Sequence, residues 1–271
     1  MKELTMTDKP ILLEEVKDHI GLLTINRPEK RNALSPELLV MIHLTLSRWS
    51  QTDDIRAVVI SGGSDKAFSS GYDVSAIPTH VPPEMAELLK TQNPLTLALD
   101  SVRNYPYPVI AMMNGYAFGA GLNLAICCDI RIAVDTIKVG MPPARLGLVY
   151  HPDGLKQFAD VLGSAVTREV FFTARTYEGA EVLATGFVHR LAPATDLRTI
   201  TFDIARQIAG NAPLSLKGMK EIMNMLARSA EFKPQDLARA EIIIKESFAS
   251  RDLAEGQTAF LEKRPPVFTG R

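Results

Sequence analysis

The sequence predicts an α/β fold in which buried strands are joined by helical crossovers. Three observations carry that expectation. Arg56-Ala-Val-Val-Ile-Ser61 and Pro108-Val-Ile-Ala-Met-Met113 are short, nearly unbroken apolar runs, the texture of strands covered on both faces. Each leads into a small-residue turn, Ser70-Gly71-Tyr72-Asp73 after the first and Gly119-Ala120-Gly121 after the second. After about residue 203 the pattern turns to helix alone, which divides the chain into a core over 1–203 and a helical region over 204–271.

The elements follow in order. His19–Ile25 reads as a strand, and Asn26–Leu34 as a polar loop. Ser35 is placed to cap a helix, with Pro36 at its first position and Glu37 in its first turn. Leu38, Leu39, Ile42, Leu46 and Trp49 form the apolar face of that helix. A helix is expected from about Gly119 to Cys127, then a strand over Asp129–Val134. Met219, Ile222, Met223 and Leu226 share one face of a later helix, on which Lys217, Lys220 and Glu221 are expected to form a solvated side. Another helix is expected over Arg239–Phe248.

Composition narrows the function. The 271 residues are 46% hydrophobic and 23% charged, as in globular proteins that dissolve in water. A net charge of −1 gives no electrostatic reason to expect nucleic acid or an anionic membrane as partner. Met1–Glu15 lacks the apolar stretch of a signal peptide, and Tyr116–Cys128 is too short to cross a bilayer. Cys127 and Cys128 are adjacent, which suits neither a disulfide nor a zinc site, so they read as buried thiols of a cytoplasmic protein.

The two turns carry the chemistry. Glycine without a Cβ lets backbone approach a ligand, and the second turn opens a helix whose first N–H groups lack intrahelical partners. Such donors stabilise a developing oxyanion. Taken singly, each turn reads as an ordinary glycine bend, with Asp73 capping the segment after it.

Five blocks bring the turns together. Asn26-Arg-Pro-Glu-Lys-Arg-Asn-Ala-Leu-Ser35, Ala67-Phe-Ser-Ser-Gly-Tyr-Asp-Val74, Asn114-Gly-Tyr-Ala-Phe-Gly-Ala-Gly-Leu-Asn123, Cys128-Asp-Ile-Arg-Ile-Ala133 and Ala259-Phe-Leu-Glu-Lys-Arg264 resemble the crotonase superfamily, the enoyl-CoA hydratase/isomerase group. The resemblance implies a spiral of ββα units with a C-terminal helical trimerisation region, assembled as a homotrimer or a dimer of trimers. It implies an acyl-CoA substrate whose thioester oxygen lies between the backbone N–H groups of Tyr72 and Ala120. Neither a metal nor a redox cofactor is implied, since coenzyme A arrives as part of the substrate. The 26–34 loop, with Lys30, Arg31 and Ala33, is expected at the CoA nucleotide. Phe260 and Lys263 match positions that reach a neighbouring subunit's adenine site.

The side chains that choose the reaction depart from the hydratase pattern. Where hydratases carry two glutamates, this chain has Asn123 and Pro143, so no side-chain acid or base stands at either place. His151 holds a position where isomerases and dehalogenases place a carboxylate. Leu146-Gly-Leu-Val-Tyr150 and Glu255–Arg264 resemble the methylmalonyl-CoA decarboxylases, although those carry His at position 72 and Glu at position 123. Decarboxylation generates the enolate without a base at carbon. On that reading Tyr150 orients the carboxylate, His151 or water returns a proton, and Asn123 contacts the substrate. Two alternatives stand beside it: a hydratase or isomerase with relocated groups such as His151 or Asp153, and a CoA- or RNA-binding homologue without catalysis.

Overall fold

The computed structural model describes residues 10–73, 89, 92–228 and 234–268. Its chain starts with a hairpin of β1 (Leu12–Lys17) and β2 (Ile20–Ile25), turned through Asp18 and His19, both at positive φ. The sequence does not announce β1. It is a sheet edge whose Glu14, Glu15 and Val16 are exposed, so no apolar run marks it. Helix α1 (Pro36–Trp49) begins where expected, with the Ser35 hydroxyl accepting from Leu38 N at 3.3 Å. Its five apolar positions are all buried.

From β3 (Ala57–Gly62) the chain alternates between two sheets for six strands. β4 (Ala67–Ser69) follows β3, helix α2 (Pro94–Asn104) comes next, and β5 (Val109–Met113) then leads to β6 (Tyr116–Phe118) and α3 (Ala120–Cys127). β7 (Ile130–Val134) and β8 (Lys138–Gly140) lead to α4 (Pro152–Thr173). β9 (Thr176–Glu178), α5 (Ala180–Ala184) and β10 (Arg190–Ala192) complete the sheets, whose strand orders are β1-β2-β3-β5-β7-β10 and β4-β6-β8-β9. Each ββα unit thus gives one strand to each sheet, with parallel pairing from β2 through β10 in the larger one. This is the α/β spiral that the sequence predicts.

The C-terminal region corrects two expectations. Helix α6 (Leu197–Ala209) straddles residue 203, and its Thr201 and Ala205 are buried against the larger sheet. A division at 203 would cut a core helix, so the core extends to Ala209. Helix α7 (Pro213–Arg228) departs from the reading of its charges at the lysines, whereas Glu221 is exposed as expected. Lys220 is buried, donating to Asp129 Oδ2 at 2.6 Å and to Tyr107 O at 3.0 Å, and Lys217 pairs with Asp53. Met219, Ile222, Met223 and Leu226 instead face outward. The lysines reach acceptors on the core that no apolar side chain could satisfy, and that fixes the helix rotation. Helices α8 (Pro234–Phe248) and α9 (Arg251–Glu262) follow, and α9 packs on a 3-10 turn at Pro143–Leu146.

Two histidines give the fold a pH dependence. His189 is exposed on one side, but its Nδ1 accepts from Arg131 N at 3.1 Å, and partial desolvation and then the Arg131 charge hold its pKa low. His43 bonds Ser101 Oγ through Nδ1 at 2.6 Å, and burial lowers its pKa too. A lowered folded-state pKa means that the unfolded chain binds more protons. The stability from these groups is therefore present above the unfolded value of about 6.5 and is lost as pH falls below it. The urea midpoint is expected to fall between pH 7.5 and pH 6, and His189→Gln to flatten the slope. An unchanged wild-type midpoint across that window would contradict the assignment.

Candidate active site

β4 and β6 are parallel neighbours, so the turns that leave them emerge side by side. Gly71 and Gly119 both take positive φ, 109° and 51°, where a side chain is strained. A Cβ on Gly119 would lie 4.0 Å from Gly71 Cα, and one on Gly71 would lie 3.7 Å from Ala120 N. Gly121 permits the approach from behind, because a Cβ there would meet Ser69 Cβ at 2.5 Å. Ala120 is the first residue of α3, so its N–H has no acceptor within the helix. The structure thus brings the Tyr72 and Ala120 turns into contact.

The 26–34 loop braces the first turn. Leu34 forms a parallel bridge with Tyr72, in which Leu34 N donates to Gly71 O at 2.8 Å and Asp73 N donates to Leu34 O at 3.0 Å. Ser70 N donates to Arg31 O at 3.0 Å. Arg27, passed over in the sequence, spans both segments. Its Nη1 donates to Ala33 O at 2.5 Å and its Nη2 to Asp73 Oδ2 at 2.9 Å, with both side chains largely buried. Asp73 therefore closes an ion pair with Arg27, a partner 46 residues away that no local pattern indicates. Ala33 is buried, while Lys30 and Arg31 are exposed on the outer side of the same loop.

A neutral polar chain begins one turn into α3. Asn123 lies three residues after Ala120, on the same helix face, and is buried. Its Nδ2 donates to Gln157 Oε1 at 2.7 Å, and its Oδ1 accepts from the Tyr150 hydroxyl at 2.7 Å. Cys127 Sγ donates to the same Gln157 oxygen at 3.2 Å. Burial drives the Tyr150 phenol far above its usual pKa and pushes the Cys127 thiol up to about 12, so both stay protonated. Gln157 is a further residue that the sequence reading misses. The available signal was its place on the buried stripe of α4, between Gly154 and Phe158, where a polar side chain needs a partner.

His151 is the N-cap of α4, its Nδ1 accepting from Asp153 N at 3.4 Å, and its side chain is exposed. Tyr150 and His151 therefore point to different surroundings although adjacent in sequence. Pro143 is buried at the start of the 3-10 turn. Phe260 and Lys263 are exposed at the end of α9. Residues 74–88, 90 and 91, which follow the first turn, lie outside the described residues.

Known proteins resemble the chain in sequence and fold. Residues 15–271 match the family profile described as Enoyl-CoA hydratase/isomerase. The chain is 33% identical over 268 residues to the "Probable enoyl-CoA hydratase echA8" of Mycobacterium bovis, covering 98% of this chain and 100% of that protein. It is 30% identical to the carnitinyl-CoA dehydratase of Escherichia coli O157:H7, covering 92% and 94%. A solved methylmalonyl-CoA decarboxylase in complex with 2-nitronate-propionyl-CoA superimposes with a TM-score of 0.87 at 26% identity, covering 97% of this chain and 100% of the other. With matching sequence over nearly its whole length and the same spiral of ββα units, the chain belongs to the enoyl-CoA hydratase/isomerase family of the crotonase superfamily.

Proposed function

We propose that the protein decarboxylates a malonyl-type CoA thioester, with the Tyr72 and Ala120 N–H groups as the oxyanion hole. The observation that carries this reading is the Tyr150–Asn123–Gln157 chain. The position one turn beyond Ala120 holds a neutral network in place of a carboxylate. An amide cannot take a proton from carbon or activate water as a glutamate does. Decarboxylation needs no such base. The bond between the α-carbon and the carboxylate breaks, CO₂ leaves, and the electron pair moves to the thioester oxygen, which the two N–H groups stabilise. Tyr150 supplies a hydroxyl that the substrate carboxylate, a stronger acceptor than Asn123 Oδ1, can draw to itself. Water or His151 then protonates the α-carbon. Coenzyme A enters with the substrate, Lys30 and Arg31 meet its phosphates, and no resident metal or redox group takes part.

Purified protein is expected to release CO₂ from methylmalonyl-CoA faster than it hydrates crotonyl-CoA. Fast hydration without CO₂ release would overturn the proposal in favour of a second reading, a hydratase or isomerase with relocated groups. Such a reading would use Asp153, whose carboxylate lies 3.3 Å from His151 Nδ1, next in sequence to Tyr150.

We further propose that copies of the chain associate as a trimer or a dimer of trimers in the cytoplasm. The outward Leu214, Met219, Ile222, Met223 and Leu226 of α7 support self-association, because a contiguous apolar face of this kind is normally covered. Sedimentation that finds only monomer at micromolar concentration would count against it.

A further inference from the structure

We propose that Arg27 is a positioning residue of the oxyanion hole, acting on the Tyr72 N–H through two successive peptide groups. This inference rests on the acyl-CoA reading above. A peptide unit is planar, with its C=O and N–H pointing in opposite directions. The Tyr72 N–H shares its plane with Gly71 O. Gly71 O accepts from Leu34 N at 2.8 Å, so the Tyr72 N–H is aimed away from Leu34. The Leu34 N–H in turn shares its plane with Ala33 O, which accepts from Arg27 Nη1 at 2.5 Å. A continuous line therefore runs from the guanidinium through Ala33–Leu34 and Gly71–Tyr72 to the donor.

The line does two things. It fixes direction, because rotating either peptide breaks a bond to its neighbour. It also polarises, because each carbonyl that accepts a bond makes its own N–H a better donor, and here the series starts at a full positive charge in a poorly solvated place. Asp73 holds the other side of the brace. Its carboxylate accepts from Arg27 Nη2 at 2.9 Å, while its N–H donates to Leu34 O at 3.0 Å. One guanidinium thus grips both segments that flank the Leu34–Tyr72 bridge. A fork with two separate donors suits this task, and the single ammonium of lysine does not.

The test reads the hole directly. Propionyl-CoA labelled with ¹³C at the carbonyl is bound to the protein, and its thioester stretch is recorded by infrared difference spectroscopy. The wild type is expected to shift the band to lower frequency. Arg27→Met and Asp73→Asn are expected to lose at least half of that shift, and Arg27→Lys to fall between. Melting curves and circular dichroism check that the variants are folded. Should Arg27→Met not fold, Arg27→Lys and Asp73→Asn carry the comparison. A wild-type shift fully preserved in folded, probe-binding variants would overturn the role of Arg27 alone. A wild type that binds the probe without any shift would overturn the oxyanion reading and this assignment with it.

Discussion

Gly119→Ala is expected to lower kcat by about 10²–10³-fold, the loss that follows removal of one oxyanion donor. Space is not the obstacle, since a Cβ at Gly119 would have Gly71 Cα as its nearest neighbour at 4.0 Å. The obstacle is conformational. Gly119 sits at φ 51° and ψ −126°, a combination that an L-residue adopts only at a cost of about 1–3 kcal/mol. The strain is relieved by rotation about the bonds of residue 119, and its ψ directs the peptide that carries the Ala120 N–H. The anchor on the other side, Gly119 N donating to Gly140 O at 3.0 Å, limits the relief to that peptide. Steady-state rates and a urea midpoint taken together check the prediction. A stability loss of the expected size with kcat unchanged would remove the Ala120 N–H from the mechanism.

Tyr150→Phe is expected to reduce decarboxylation by about 10–100-fold, the range for a hydrogen bond to a charged group of about 1.5–3 kcal/mol. The ring itself stays accommodated. It packs on Phe171 with centroids 5.4 Å apart and lies against Gly154, where a Cβ would meet Tyr150 Cε1 at 2.3 Å. What is lost is the hydroxyl that donates to Asn123 Oδ1, which costs the folded protein about 1 kcal/mol. Because burial keeps the phenol protonated, no limb of the pH–rate profile below about pH 9 belongs to Tyr150. An unchanged rate on a malonyl-type thioester would free Tyr150 from its proposed part.

Local chemistry made some of this molecule legible in the sequence. Ser35 and Pro36 marked the start of α1 because a cap and a fixed φ act within a few residues. The unbroken apolar run Ala57-Val58-Val59-Ile60 marked β3 because burial on both faces leaves no polar alternation. The turns at 70–73 and 119–121 were visible as small-residue bends, and the five blocks tied them together. What stayed hidden depends on distant partners. Gly154 and Gly163 disguised α4, whose φ at Gly163 is 74° in mid-course, so Gln157 was never set opposite Asn123. Arg27 and Asp73 meet only after the loop and the turn are folded against each other. The rotation of α7 follows from Lys220 reaching Asp129, a contact across 91 residues that outweighs the amphipathic pattern of the helix.

The alternation of the chain between two sheets separates duties by layer. The unit of β3 and β4 delivers Tyr72, the unit of β5 and β6 delivers Ala120 and Asn123, and the unit of β7 and β8 delivers Tyr150. On the proposed reading, the first two layers supply the oxyanion donors, and Asn123 of the second with Tyr150 of the third selects what leaves or enters. An ancestor with this architecture can exchange one reaction for another by rewriting such side chains, without disturbing the backbone that tolerates negative charge. Such a chain keeps its enolate and renegotiates only the fate of it.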